Sequence, residues 1–224
     1  MSFGSKEPLT AQETKEQLLW VAQEMLRSGL VEGTTGNVAA RLPDGNAVLT
    51  PSSLDYLEMS LDDLVVCDLD GTVLEGERSP TTEKSLHLSA LRLYPEIGAT
   101  MHCHAKFATM FALTRTPIPA CIEEFDVFVG GDVEVADYKT TGTEELAAEI
   151  ASRVDKKAAV LMANHGLFAV SKTPKDVLHV AQLIERTAEI IHGARVLGEV
   201  VPLPDAVNKQ FSGYYRYGRT GSFD

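Results

Sequence analysis

The sequence predicts an α/β protein whose sheet is mostly antiparallel or mixed and is covered by helices. Helical and extended patterns alternate along the chain, and Asp70-Gly71 sits between two extended pieces as a hairpin turn. The length, 224 residues, matches one domain. That domain is read as 1–224, with a flexible N-terminus over 1–9 and an aromatic C-terminal tail over 199–224.

Each element has a local cause. Thr10 and Glu13 form a capping-box pattern, and Leu18, Leu19, Ala22, Met25 and Leu26 give the first helix one apolar face, with Gly29 as its stop. Extended pieces follow around Asn37–Arg41 and Ala47–Thr50, separated by Pro43, Asp44 and Gly45. Next come the extended "LVVCD" and "TVLE" on either side of Asp70-Gly71. A helix begins after Pro80 and runs to about Leu93. Ile97 to Cys103 reads as a buried strand, and a helix is expected near Lys106–Leu113. Residues 119–124 are read as extended. Thr143–Val154 is helical, and "AAVLM" and "LFAV" are strands flanking Asn164-His165-Gly166. The longest helix has Thr173 as N-cap and Pro174 in its first turn, and it ends near Gly198. The tail, "FSGYYRYGR", carries Arg216 and Arg219.

Composition narrows the function. With 32 acidic against 20 basic residues the formal net charge is −12, which argues against binding a phosphate backbone and so against a nucleic-acid partner. A small anionic substrate stays open, because a local site can oppose the global field. No apolar run approaches the ~20 residues of a membrane span, and the polar N-terminus shows no secretory signal. Three cysteines without CxxC spacing argue against a disulfide framework and fit a reducing cytoplasm.

The sharpest chemical feature is "MHCHA". His102 and His104 are two apart at a strand end, so they share a face and suit a borderline metal such as zinc; the alternative is two hydrogen-bonded histidines at a strand edge. Cys103 points the other way, as apolar filler. His165, before Gly166, is a third candidate, and three histidines with an open fourth position make a catalytic zinc arrangement. Glu83 lies at a helix start, where the dipole alone favours a carboxylate, and His87 four residues on could pair with it. His179 and His192 on the long helix read as structural or solvated. "GTTGN" (33–37), "TPSS" (50–53) and Thr81-Thr82 are hydroxyl- and glycine-rich turns able to receive phosphate, or ordinary turn formers. Nucleotide-binding glycine motifs are absent.

In order, "GTTGNVAAR", "LTPSS", "SPTTEKSLH", "MHCHA", "NHG" and a long helix resemble the class II aldolase/adducin family over roughly Leu18 to Leu197, most closely its L-fuculose-phosphate aldolase branch. The resemblance implies a three-layer α/β/α fold with a central mainly antiparallel sheet. It also implies a homotetramer with active sites at subunit boundaries. It assigns His102, His104 and His165 as ligands of one Zn2+ per subunit, and Glu83 as a catalytic residue that also approaches the metal. Asn37, Ser52, Ser53, Thr81 and Thr82 fall at phosphate-binding positions; the family often has glycine where this chain has Ser53. Where the aldolase places a catalytic tyrosine after "PA", this chain has Glu123 and Glu124, and Tyr214 in the tail is the other candidate proton donor. An acidic residue there resembles the family's dehydratase of methylthioribulose phosphate and some aldolases of deoxypentulose phosphates.

The implied activity is that of a lyase of carbohydrate metabolism. It is a zinc-dependent aldolase cleaving a ketose 1-phosphate to dihydroxyacetone phosphate and an aldehyde through a metal-stabilised enediolate. The alternatives are a pentulose-phosphate 4-epimerase, a dehydratase, or a non-catalytic adducin-like interaction module. Glu83 together with the three histidines favours an enzyme.

Overall fold

The computed structural model describes residues 8–223. An eight-stranded sheet runs through its centre in the order β4-β3-β2-β1-β5-β8-β7-β6. The strands are β1 (Asn37–Arg41), β2 (Ala47–Leu49), β3 (Val65–Cys67), β4 (Val73–Glu75), β5 (Ala99–Cys103), β6 (Val135–Ala136), β7 (Ala159–Met162) and β8 (Gly166–Ser171). Every pairing is antiparallel except β6 with β7. The sheet is therefore mixed only at one edge, as the hairpin-rich sequence requires.

Helices cover both faces. α1 (Ala11–Arg27), α3 (Lys106–Thr114), α4 (Glu123–Val129) and α6 (Pro174–Leu197) pack on one side, around Met25, Met101, Phe125 and Ile184. α2 (Lys84–Leu93) and α5 (Glu144–Arg153) pack on the other, around Leu91, Ile150 and Phe168. Strand alternation feeds these layers: Met101 and Cys103 of β5 join the first cluster, while Thr100 and His102 face the second. The expected three-layer α/β/α arrangement is the observed one. Caps fall where the sequence places them, with a complete capping box at Thr10–Glu13 and Thr173 accepting from the Asp176 backbone N–H.

Several expectations need correction. Residues 123–129 form a helix, α4, where an extended segment was expected. Its three acidic residues, Glu123, Glu124 and Asp126, lie in the first turn and complement the helix dipole. Phe125 and Val129, four apart, give it a buried face, and Gly130 closes it at φ 86°. Glu83 is the N-cap of α2, one position before its first turn. The tail, whose conformation the sequence reading left open, is mostly a helix, α7 (Asp205–Thr220), which packs on α4. It is anchored by Arg219, whose guanidinium meets Glu96 (3.0 Å) and the Val154 carbonyl (2.6 Å). The two-residue β6 was not anticipated. Of the N-terminal segment 1–9, residues 1–7 lie outside the described residues.

Candidate active site

The site forms where β5, β8 and the start of α2 meet. Antiparallel register sets Asn37 of β1 directly opposite His102 of β5, and His102 opposite Phe168 of β8. His104 follows the end of β5, and His165 closes the three-residue connection from β7 to β8. In that connection Asn164 takes the left-handed conformation (φ 58°), with the Arg115 guanidinium donating to its side-chain oxygen. Gly166 must follow, because a Cβ there would stand 2.4 Å from the Cys103 carbonyl and 3.2 Å from the His104 ring. Gly36 is constrained too: its φ is +76°, and a Cβ would meet the His102 carbonyl at 2.9 Å.

The fold thus gathers the three histidines. Their candidate ligand nitrogens lie within 4.8 Å of one another, and the ring centroids are 4.5 to 5.4 Å apart. His102 Nδ1 donates to the Leu167 carbonyl (3.1 Å), which leaves the Nε2 lone pair facing His104 Nε2 at 3.1 Å. A backbone carbonyl behind a ligating imidazole is the usual device that fixes its tautomer. Burial, then the neighbouring rings, push the His102 pKa well below the ordinary histidine value and lower that of His104, so these rings are neutral donors.

Glu83 lies against the cluster, 6% exposed, with Oε2 3.4 Å from His102 Nε2 and Oε1 3.7 Å from His165 Nε2. Oε2 accepts from Asn37 Nδ2 (2.9 Å), but buried Oε1 has no hydrogen-bond partner. An orphaned carboxylate oxygen beside converging imidazole nitrogens fits a divalent cation. His87 does not pair directly with Glu83: it hydrogen-bonds Asn37 Oδ1 (2.6 Å) and Thr100 Oγ1 (2.7 Å). Burial lowers its pKa to about 3, so it too is neutral. Sequence reasoning noticed His87 but missed Thr100; alternation with His102 along β5 was the available signal.

The hydroxyl-bearing loops run side by side. Thr81 N–H donates to the Thr50 carbonyl (3.1 Å) and Ser52 N–H to the Ser79 carbonyl (3.0 Å), bringing 50–53 against 79–82 just before Glu83. Ser53 adopts φ 58°, the conformation that glycine would take freely, so the backbone path survives its replacement. Thr82 is exposed, while Thr81 is buried and its Oγ1 accepts from Glu83 N–H (3.3 Å). Asn37 precedes Val38, which exchanges hydrogen bonds with Thr50, and both ends of its amide are engaged, by Glu83 and His87.

Among the described residues, the expected second proton donors, Glu123, Glu124 and Tyr214, are not hydrogen-bonded to the histidine cluster. Glu123 and Glu124 are both exposed on α4, and among the described residues neither bonds to Glu83 or the histidines. Tyr214, on α7, accepts from Gln210 Nε2 (2.9 Å). His179 and His192 are exposed and touch the rings of Phe128 and Phe107.

Comparison with known proteins points to one family. The family model "Class II Aldolase and Adducin N-terminal domain" matches residues 16–192. The chain is 36% identical to 5-deoxy-D-ribulose 1-phosphate aldolase of Bacillus thuringiensis, covering 91% of this chain and 97% of that one. It is 31% identical to an L-ribulose-5-phosphate 4-epimerase of Salmonella paratyphi B, covering 89% and 94%. A solved L-fuculose 1-phosphate aldolase superposes with a TM-score of 0.86 at 32% identity, covering 96% of this chain and all of that one. The order of motifs, the layered fold and these likenesses together show that the chain belongs to the class II aldolase and adducin family.

Proposed function

We propose that this protein is a metal-dependent lyase that cleaves a ketose 1-phosphate to dihydroxyacetone phosphate and an aldehyde. The observation that carries the reading is the convergence of His102, His104 and His165 beside the unpartnered Oε1 of Glu83. Zinc suits this donor set, held by the three imidazoles with Glu83 beside it, and when bound it supplies Lewis-acid polarisation of the sugar's carbonyl oxygen. The chain's own groups handle protons and position. As the C3–C4 bond breaks, C3 gains a proton and the C4 hydroxyl loses one; Glu83 serves C3. Ser52, Ser53, Thr81 and Thr82 supply hydroxyls for the phosphate, and Asn37 is the fifth member of that set. Glu124, Glu123 or Tyr214 serves the C4 oxygen, reaching it from a neighbouring subunit of a homotetramer. The exposure of Val196, Leu197 and Val201, at 80% or more each, is consistent with such an assembly.

The test is a panel of phosphorylated ketoses, headed by 5-deoxypentulose 1-phosphates because the Bacillus relative is named for one. Release of dihydroxyacetone phosphate, lost on chelation and restored by zinc, is the expected result. No release from any member would overturn the reading. Conversion of L-ribulose 5-phosphate without cleavage would favour the epimerase alternative that the Salmonella relative suggests. On α4 the two carboxylates project about 100° apart, so Glu123→Gln and Glu124→Gln should differ sharply, one nearly inactive. Equal, mild losses would point to Tyr214 instead.

A further inference from the structure

We infer that Arg115 and Asn164 are positioning residues for His165. The guanidinium at the end of α3 grips the turn that carries this histidine and so fixes where its ring points; the consequence for a metal rests on the proposed function, the grip itself does not.

His165 needs such a grip because its ring has no other. His102 is oriented from behind, through the Leu167 carbonyl at 3.1 Å. Among the described residues the His165 ring makes no hydrogen bond; it neighbours the rings of His102 and His104, and Glu83 Oε1 stands 3.7 Å away. Its direction is therefore inherited from its backbone. That backbone is a tight turn between β7 and β8, closed by His165 N–H donating to the Met162 carbonyl at 3.0 Å. At the third position of the turn Asn164 has φ 58°, a left-handed conformation that asparagine tolerates better than most residues.

Two contacts hold this turn in place. Gly166 packs so closely that a Cβ would stand 2.4 Å from the Cys103 carbonyl, which ties the turn to the strand ahead of His104. The other contact is Arg115, whose Nη2 donates to Asn164 Oδ1. Arg115 is itself left-handed, at φ 57°, and its Nη1 donates to the Ala112 (2.7 Å) and Leu113 (3.2 Å) carbonyls in the last turn of α3. Those bonds order the long side chain, so reaching Asn164 costs little further entropy. Ser53, Arg115 and Asn164 are the non-glycine residues with positive φ among the described residues, and two of them are hydrogen-bonded to each other beside His165. Backbone in this sparsely populated region persists where its surroundings hold it. α3 begins two residues after His104, so it links the turns of both histidines, through the chain at its start and through Arg115 at its end.

Amide hydrogen exchange of the full-length, metal-free protein tests the grip without any reaction. Asn164→Gly still allows the positive φ but removes the acceptor, and Arg115→Met removes the donor while keeping most of the stem. Each should speed exchange of the His165 N–H about tenfold, the scale of one hydrogen bond to a charged group, while the β5 amides stay as in wild type. Asn164→Asp keeps an acceptor oxygen and should restore slow exchange. Unchanged exchange at His165, or equal acceleration along β5, would overturn the inference. Zinc affinity, measured by competition with a chromophoric chelator, is the second readout. Each of the two disrupting variants should weaken binding about tenfold, the lower end of what partners behind a ligand contribute. The double variant should bind no more weakly than either, because both remove the same bond. Unchanged affinity, or losses that add, would also overturn the inference. A wild-type protein that binds no zinc would end the functional reading, and exchange at His165 would still decide whether Arg115 holds the turn.

Discussion

Replacing Glu185 tests how the fold aims His104. α3 begins two residues after that histidine, and its N-cap, Ala105, has no side-chain oxygen to offer. Glu185, half-buried on α6, takes over this role across space: its two oxygens accept from Phe107 N–H and Ala108 N–H, each at 2.9 Å. These are the N2 and N3 donors that a capping side chain would normally satisfy. Loss of a cap costs about 0.5–2 kcal/mol, and hydrogen bonds to a charged group are worth about 1.5–3 kcal/mol. Water can reach part of the vacated site, so Glu185→Ala should destabilise by roughly 2–3 kcal/mol. At about 2–4 °C per kcal/mol for a chain of this size, the metal-free protein should melt roughly 5–10 °C lower. Glu185→Gln keeps one acceptor without the charge and should fall between. Loosening the turn after His104 should also weaken zinc binding by about 10–100-fold, as measured by competition with a chromophoric chelator. A melting temperature within a degree of wild type, with unchanged zinc affinity, would refute the idea that Glu185 caps α3 and orients the ligand.

Two further outcomes follow from the same geometry. Glu83→Gln should keep the fold and the zinc, since the amide is isosteric and all three histidines remain; kcat should fall by about 10²–10⁴-fold, and turnover within a few-fold of wild type would make Glu83 structural only. Asp126 is wholly buried with neither carboxylate oxygen hydrogen-bonded, and burial followed by the nearby Asp132 raises its pKa to about 6. Its folded pKa exceeds the unfolded one, so the native state binds the extra proton and loses stability as pH rises from about 3.8 to 6. His87 has the opposite sign, because its folded pKa of about 3 makes the protein less stable as pH falls below 6.5. In urea titrations, Asp126→Asn should therefore gain stability relative to wild type as pH goes from 4 to 7; a constant difference would show that Asp126 does not titrate there.

Local chemistry made much of the fold legible. The capping box at Thr10, the Thr173-Pro174 start of the longest helix, the Asp70-Gly71 hairpin and the alternation through "ATMHCHA" all depend on residues within one or two turns of each other. For the same reason the pairing of His102 with His104 could be read directly, since side chains two apart on a strand share a face. That spacing already suited a metal, but the assignment of the full ligand set came from the family likeness, because His165 is some sixty residues away and only sheet register brings it in. Where long-range packing chose the conformation, the sequence misled at one segment and left the tail open. Glu123–Val129 is helical because Phe125 and Val129 find a core beneath them and α7 beside them. The tail is helical because Arg219 has Glu96 and two backbone carbonyls to bind. Asn37 shows the division most clearly. Its sequence neighbourhood, "GTTGN", suggests a phosphate loop, yet the side chain's partners, Glu83 and His87, are 46 and 50 residues away. Short-range preferences set the elements, whereas the active carboxylate is oriented by hydrogen bonds that exist only after β1, β5 and α2 have packed.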